Sequence, residues 1–214
     1  MYLKLTRADV FADLGSAGGK TCVQVMLQTQ CLESIGVELY KARHDSGVSA
    51  LKLIKSCPAA LDVVCSKSRL GNGEFGSMGT RSMLLFQRRA LFPGRTTKIT
   101  LINSDFCVEK KRLAHATVVY MANFCFDPPL MRKIIGLLLD MPKLRAVVCM
   151  RSLAPHTSAL RSGRMRLGQV DPYSQFATRF EEMQDAPATC SASWKGDAAD
   201  AVVPLFVYAR RASE

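Results

Sequence analysis

Histidine is scarce and cysteine is unpaired in this chain. His44, His115 and His156 stand far apart, and the eight cysteines contain no Cys-x-x-Cys pair. Neither a tetrahedral zinc site nor a disulfide framework finds the spacing it needs. No metal is expected, and Cys22, Cys31, Cys57, Cys65, Cys107, Cys125, Cys149 and Cys190, each set singly in an apolar run, read as reduced thiols. No apolar stretch approaches the roughly 20 residues of a membrane span, and no charged start leads into an apolar run as a signal peptide would. A soluble intracellular protein with no membrane partner is the expectation. Acidic residues are also short: 18 Asp and Glu stand against 29 Lys and Arg, a formal net charge of +11.

What is present is the composition of a folded protein. With 214 residues, 48% of them hydrophobic and 22% charged, the chain suffices for one sizeable core, so residues 1–214 are expected to form a single domain. Arginine is spread along the chain from Arg81 to Arg211, which makes polyanionic partners such as nucleic acid or the nucleosome plausible.

The front of the chain alternates strand and helix. Val10 to Leu14 reads as a buried strand entering the glycine turn Gly15-Ser16-Ala17-Gly18-Gly19. A helix from Thr21 to Gln30 follows, then a strand from Ser34 to Glu38 and a second helix from Leu39 to about Leu53. Such alternation implies a parallel sheet. Residues 55–97 form a loop-rich insertion with a glycine-rich stretch at 70–79, read as a linker because no Gly-Lys-Ser/Thr follows, and a short helix at Met83 to Leu91. Lys98 to Asn103 is the third strand, His115 to Tyr120 the fourth and Arg145 to Met150 the fifth. Pro128 and Pro129 open a helix running from Leu130 to Asp140. Beyond the basic loop Arg161 to Arg166, Phe176 to Met183 and Val203 to Ala209 read as late strands.

In an open α/β sheet the ligand crevice lies at the carboxyl ends of the central strands, where Asp13, Glu38, Asp105 and Asn123 all fall. Glycine lets the turn backbone approach a ligand, and an acidic residue ending the second strand receives ribose hydroxyls. Ala17 in place of a glycine disfavours a pyrophosphate cradle and suits a neutral or cationic adenosyl ligand such as S-adenosylmethionine. Asp105 and Phe106 suit an adenine, the carboxylate accepting from the exocyclic amine and the ring covering the base. The alternative for Asp105 is a helix cap. Asn123, Phe124 and Phe126 would face the reactive end, where rings attract a sulfonium and exclude water. Asp127-Pro128-Pro129-Leu130 is similar to the Asp-Pro-Pro-Tyr box of base-amine methylating enzymes, but Leu130 has no ring to stack on a flipped base.

Three blocks give the chain a family resemblance: Asp9-Val10-Phe11-Ala12-Asp13-Leu14-Gly15-Ser16 with Gly36-Val37-Glu38; Val118-Val119-Tyr120-Met121-Ala122-Asn123-Phe124-Cys125-Phe126; and Ser191-Ala192-Ser193-Trp194-Lys195-Gly196. The second resembles the Asn-Asn-Phe-x-Phe signature, and the third the Ser-Val-Ser-Trp-Thr-Gly segment, of the Dot-one (disruptor of telomeric silencing) histone-lysine methyltransferases, which lack a SET domain. The resemblance implies a class I S-adenosylmethionine-dependent methyltransferase fold, Rossmann-like α/β, with a mostly parallel central sheet and helices on both faces. It implies S-adenosylmethionine as cofactor, a lysine of a core histone in the nucleosome as acceptor, DNA contact through basic patches, and nuclear localisation. By the same likeness Asp13, Gly15, Ser16 and Gly19 would hold the methionyl part, Glu38 the ribose, and Asp105 with Phe106 the adenine. Asn123, Phe124, Phe126 and Trp194 would line the methyl group and lysine channel. The departures are Ala122 for the first of the paired asparagines, Ala17 for a glycine, Lys20 for a glutamine, and only eight residues ahead of Asp9 where the family carries a helical region and a Tyr-Gly-Glu loop. They carry the expectation of a lid supplied elsewhere or of impaired turnover. The alternatives are a methyltransferase-fold protein that binds chromatin or nucleic acid without turnover, and an RNA methyltransferase.

Overall fold

The computed structural model describes residues 3–56, 80–87, 96–153, 171–183, 189–191 and 202–212. Its strands are β1 (Val10–Leu14), β2 (Glu33–Glu38), β3 (Thr80–Gln87), β4 (Thr96–Asn103), β5 (Val118–Met121), β6 (Ala146–Cys149), β7 (Phe180–Glu182), β8 (Thr189–Ser191), β9 (Val202–Pro204) and β10 (Phe206–Arg210). The helices are α1 (Lys20–Gln28), α2 (Lys41–Ser56), α3 (Lys110–Leu113), α4 (Pro128–Leu139) and α5 (Pro172–Arg179), with a 3-10 turn at Asn123–Cys125.

Eight strands form one sheet in the order β3-β4-β2-β1-β5-β6-β10-β7. From β4 through β6 the neighbours run parallel; β10 is antiparallel to both β6 and β7, and β3 is antiparallel to β4. The chain leaves β1 toward β2 on one side and later returns to β5 on the other. That reversal leaves a crevice above β1, where such sheets hold ligands. The expected fold class, a Rossmann-like α/β methyltransferase fold, is the one observed.

Strand alternation divides β1 between two cores. Phe11 packs with Cys22, Met26 and Leu51 of α1 and α2, whereas Ala12 and Leu14 join Ile134, Ile135 and Leu138 of α4 and Phe176 of α5 on the other face. Helices therefore cover both faces. The helix starts follow from local chemistry: Asp127 Oδ1 accepts from Leu130 N–H at 2.8 Å ahead of two prolines, and Asp171 Oδ2 accepts from Ser174 N–H at 3.2 Å ahead of Pro172.

At the amino ends of the central strands, Asp9 clasps three elements. Arg145 Nε and Nη2 reach its two oxygens at 2.6 and 2.8 Å, Thr117 Oγ1 donates at 2.7 Å, and Thr6 donates from its backbone N–H at 2.7 Å and its hydroxyl at 2.9 Å. Burial raises this carboxyl, but the guanidinium and the threonine donors outweigh it and hold the pKa well below the usual carboxylate range.

Two expectations are corrected. Against the short helix expected at Met83 to Leu91, Thr80–Gln87 is a strand paired with β4 along its whole length. A short apolar run suits either state, and the open edge of β4 supplies a hydrogen-bonding partner that periodicity cannot register. The strand expected over Phe176 to Met183 is not continuous. Helix α5 instead continues through Arg179, with Tyr173 and Phe176 buried at helical spacing, and only Phe180–Glu182 pairs with β10. The glycine-rich stretch 70–79, the basic loop Arg161 to Arg166 and Trp194 lie outside the described residues.

Candidate functional site

The glycine turn after β1 is built by one carbonyl. Val37 O accepts from both Gly15 N–H (2.9 Å) and Ser16 N–H (3.0 Å), and Gly19 N–H donates to Ser16 O at 2.7 Å, closing the turn into α1. Gly15 (φ 84) and Gly19 (φ 71) adopt the left-handed backbone, and so does Ala17 (φ 46), which pays a steric cost glycine escapes. Two glycines outside the turn make room for it. A Cβ on Gly36 would stand 2.7 Å from Ser16 Oγ, and one on Gly47 would stand 2.8 Å from Gly18 O. Helix α2 thus rests on the turn's backbone at Gly47.

Two buried carboxylates flank this turn. Glu38 Oε2 accepts from Ala17 N–H and Oε1 from Tyr40 N–H, each at 2.8 Å, so the strand end and the turn are fixed to one another. Each oxygen retains a lone pair for a second donor. Asp13, 2% exposed, lies on the α1 side of β1; its Oδ1 has no hydrogen-bond partner. Burial pushes its pKa up to about 7, a hydrogen bond from the Thr21 side chain pulls it down, and the Glu38 charge raises it further. A deeply buried carboxyl with an orphaned oxygen beside a second acid is chemically suited to a cationic ligand group.

The aromatic residues converge on the same turn. A Cβ on Gly15 would lie 3.4 Å from the Phe126 ring, and the Phe106 and Phe126 centroids are 6.1 Å apart. Asp105, exposed just past β4, accepts from Cys107 N–H at 2.8 Å through Oδ1. It closes its own turn and does not cap α3, whose N-cap position is Glu109. Phe124 is 48% exposed at the 3-10 turn.

Asn123 is the residue whose surroundings differ most from the sequence reading. Its Oδ1 accepts from Met150 N–H (3.0 Å) and Arg151 N–H (2.8 Å), and its Nδ2 donates to Arg151 O (3.0 Å) and faces Met131 Sδ (3.7 Å). That fills the bonding capacity of a carboxamide. Asn123 acts by binding the segment after β6 to the end of β5, and Arg151 Nη1 adds a bond to Phe126 O at 3.1 Å. Tyr208 holds the same segment from the other side. Its hydroxyl accepts from Leu153 N–H at 2.9 Å, meets Ser152 Oγ at 3.1 Å and donates to Glu182 Oε2 at 3.0 Å.

Asp13, Gly15, Ser16, Gly19, Glu38, Phe106 and Phe126 are therefore brought together around one turn, with Asn123 anchoring the side toward β6, while Asp105 closes the turn that follows β4. Sequence reasoning missed Gly47 and Arg151. A glycine inside a helix, about 1 kcal/mol less favourable than alanine, was the available signal for Gly47; Arg151 offered none. An open cleft of ≈ 550 Å³ between α3, α4 and α5 shares only Asp105 with the predicted residues. Among the described residues no group of three His, Cys, Asp or Glu could hold a metal ion. Burial raises the Cys22 thiol and pushes that of Cys149 up to about 12, leaving both inert at neutral pH.

No curated protein matches the chain significantly. Among solved structures it is similar to Sp1610 of Streptococcus pneumoniae, a putative tRNA (m1A22) methyltransferase, at 10% identity and a TM-score of 0.51, covering 98% of this chain and 67% of that one. It is also similar to the putative methyltransferase yhhF of Escherichia coli, at 12% identity and a TM-score of 0.48, covering 97% and 79%. At such identities a likeness concerns the fold alone. The model of the family described as histone methylation protein DOT1 matches residues 1–77 and 76–196, nearly the whole chain, and so takes in the glycine turn, Glu38 and the Asn123 to Phe126 segment together. The chain belongs to the DOT1 histone methylation family.

Proposed function

We propose that this protein is a nuclear histone-lysine methyltransferase that uses S-adenosylmethionine and acts on a core histone in the nucleosome. The observation that carries the reading is Asp13: a buried carboxyl with an orphaned oxygen, set between the glycine turn and Glu38 at the crevice above β1. An ammonium-bearing ligand answers that requirement, and membership of the DOT1 family supports the reading. When bound, the cofactor supplies a methyl group activated by a sulfonium. Asp13 would receive its amino group, Gly15 and Ser16 its methionyl backbone, and Glu38 the ribose hydroxyls through its remaining lone pairs. Phe106 and Asp105 would take the adenine.

Phe126, packed over Gly15, would exclude water beside the sulfonium without offering a competing nucleophile. The remaining work would be alignment, holding a neutral lysine amine in line with the methyl group. Asn123 serves that alignment by fixing the Phe126 segment to the backbone after β6. A second reading, cofactor binding with slow turnover, is favoured by Ala122, whose methyl group packs near Met150 and offers no amide to the methyl donor.

Titration calorimetry with S-adenosylmethionine tests cofactor binding, and absence of heat at millimolar cofactor would end the enzyme reading. Labelled cofactor supplied with nucleosomes, free histones or transfer RNA tests the acceptor. Label entering histone lysine is the expected result; label only in RNA would end the histone reading.

A further inference from the structure

The end of the sheet opposite the crevice gathers basic side chains from four segments of the chain. Arg145 precedes β6, and its carbonyl accepts at 2.8 Å from the N–H of Arg210, the last residue of the antiparallel β10. Arg211 N–H donates in turn to Arg179 O at 2.8 Å, at the end of α5. The segment before β1 joins them through Lys4 O, which accepts from Arg145 Nη2 at 3.0 Å. Lys143 follows Pro142, whose carbonyl accepts from Arg210 Nη1 at 2.7 Å. Lys4, Lys143, Arg179, Arg210 and Arg211 are all exposed.

The acids at this end are already spent. Asp9 is buried against Arg145 Nε at 2.6 Å, Glu181 pairs with Arg211 at 3.4 Å, and Asp140 pairs with Lys110 at 2.8 Å. Lys4, Lys143, Arg179 and Arg210 form no ion pair among the described residues. Arg179 Nη1 donates to Leu139 O at 3.0 Å and Arg210 Nη1 to Pro142 O, so one nitrogen holds each guanidinium at the carboxyl end of α4. Arg210 also lies over the Phe180 ring, 5.8 Å from its centroid. The other N–H groups of both forks have no acceptor among the described residues. Neighbouring strands stand about 4.8 Å apart, so the backbones of Arg145, Arg210 and Arg179 make a row about 10 Å long across the strand ends.

We infer that Lys143, Arg179 and Arg210, with Lys4 beside them, form a docking surface for the phosphate backbone of duplex DNA at the pole remote from the crevice. A row of uncompensated cations suits closely spaced negative charges, and duplex DNA carries one for about every 1.7 Å of its axis. Guanidinium forks held by one nitrogen keep their orientation and match the oxygens of a phosphate. The chain's +11 charge draws a polyanion toward such a surface at long range. The surface lies apart from the crevice and rests on the reading of it only for the choice of DNA, the nucleic acid of a nucleosome, over RNA. Backbone contacts of this kind position a duplex without selecting its sequence.

The test is binding of a short DNA duplex to the whole protein as salt is varied, with an RNA duplex and a polyglutamate peptide as further probes. Lys143→Gln breaks no bond among the described residues. It should fold as before, lower the slope of log affinity against log salt by about 1, and weaken two duplexes of unrelated sequence alike. Lys143→Glu should weaken both further. Arg179→Gln combined with Arg210→Gln should lower the slope by about 2, read at a temperature where thermal unfolding shows both proteins folded. Lys133→Gln, at an exposed position in the first half of α4, removes the same charge away from this end and should leave the slope nearly unchanged. An equal fall at Lys133 would overturn the surface in favour of diffuse charge. Duplex binding untouched by Lys143→Glu would overturn it outright. RNA bound more tightly than DNA would overturn the choice of DNA, and polyglutamate bound as tightly as DNA would overturn nucleic acid in favour of an acidic protein. Calorimetry with S-adenosylmethionine on the same preparations separates the two proposals: duplex binding without cofactor heat would sink the enzyme reading and leave the surface standing, and cofactor heat without duplex binding would do the reverse.

Discussion

Replacing Asp13 by asparagine tests whether the buried acid is tuned for a cation. In the folded protein without ligand its pKa stands at about 7, against an ordinary value of 3.8. Between those values the folded state keeps a proton that the unfolded chain releases, so stability falls as pH rises from about 4 to about 7 and levels off above. At 1.36 kcal/mol per pKa unit the fall amounts to about 4 kcal/mol, and Asp13 is buried deeply enough that solvent does not screen it away. Asp13→Asn removes the titration. Urea unfolding of both proteins at pH 4.5 and pH 8 should show a loss in the unaltered protein that the variant lacks, leaving the variant the more stable at pH 8. A ligand ammonium placed against Asp13 reverses the balance by favouring the carboxylate. Binding of S-adenosylmethionine near pH 6 should then release about one proton, read from calorimetry in buffers of different ionisation enthalpy, and release almost none at pH 8. Stabilities that run parallel across pH in the two proteins would refute the burial argument. Proton-neutral binding at pH 6 would refute the assignment of Asp13 to the ammonium.

Ala17→Gly should stabilise the protein by about 1 kcal/mol in thermal or urea unfolding, because φ 46 is a conformation glycine adopts freely. Gly47→Ala drives a Cβ to within 2.8 Å of Gly18 O and should cost about 1 to 3 kcal/mol of stability, with weaker cofactor binding because the turn is displaced. Glu38→Ala should weaken S-adenosylmethionine binding by about 1 to 3 kcal/mol in calorimetry, and an unchanged affinity would reduce Glu38 to a strut between Ala17 and Tyr40. Arg145→Ala should cost about 2 kcal/mol at pH 7, below the figure for a fully buried pair because Arg145 is 40% exposed. As the Asp9 pKa is held low, this stabilisation is present above about pH 4 and lost as pH falls below the ordinary carboxylate range, so the variant and the unaltered protein should converge in acid unfolding.

The first strand, the glycine turn and the acid that ends β2 were legible in the sequence because each depends on neighbours in the chain. A buried apolar run makes β1, glycine makes the turn, and Asp127 with two prolines starts α4 wherever that segment sits. The parallel sheet was legible for a similar reason, since alternating strand and helix fold with the crevice at the carboxyl ends. Sequence alone misreads Met83 to Leu91 and Phe176 to Met183 because a short apolar stretch takes the state its tertiary partner offers: the free edge of β4 for one, the α4 face and β10 in succession for the other.

Tertiary structure alone decided the chemistry of the individual side chains. Asn123 reads in sequence as an amide facing a ligand, yet its bonds go to Met150 and Arg151, 27 and 28 positions onward. Asp13 owes its raised pKa to exclusion from water beneath α1 and to Glu38, brought beside it by the pairing of β1 with β2. Local sequence sets which backbone states and which functional groups are available; burial and the pairing of distant segments set which of those groups are charged, satisfied or left to receive a ligand.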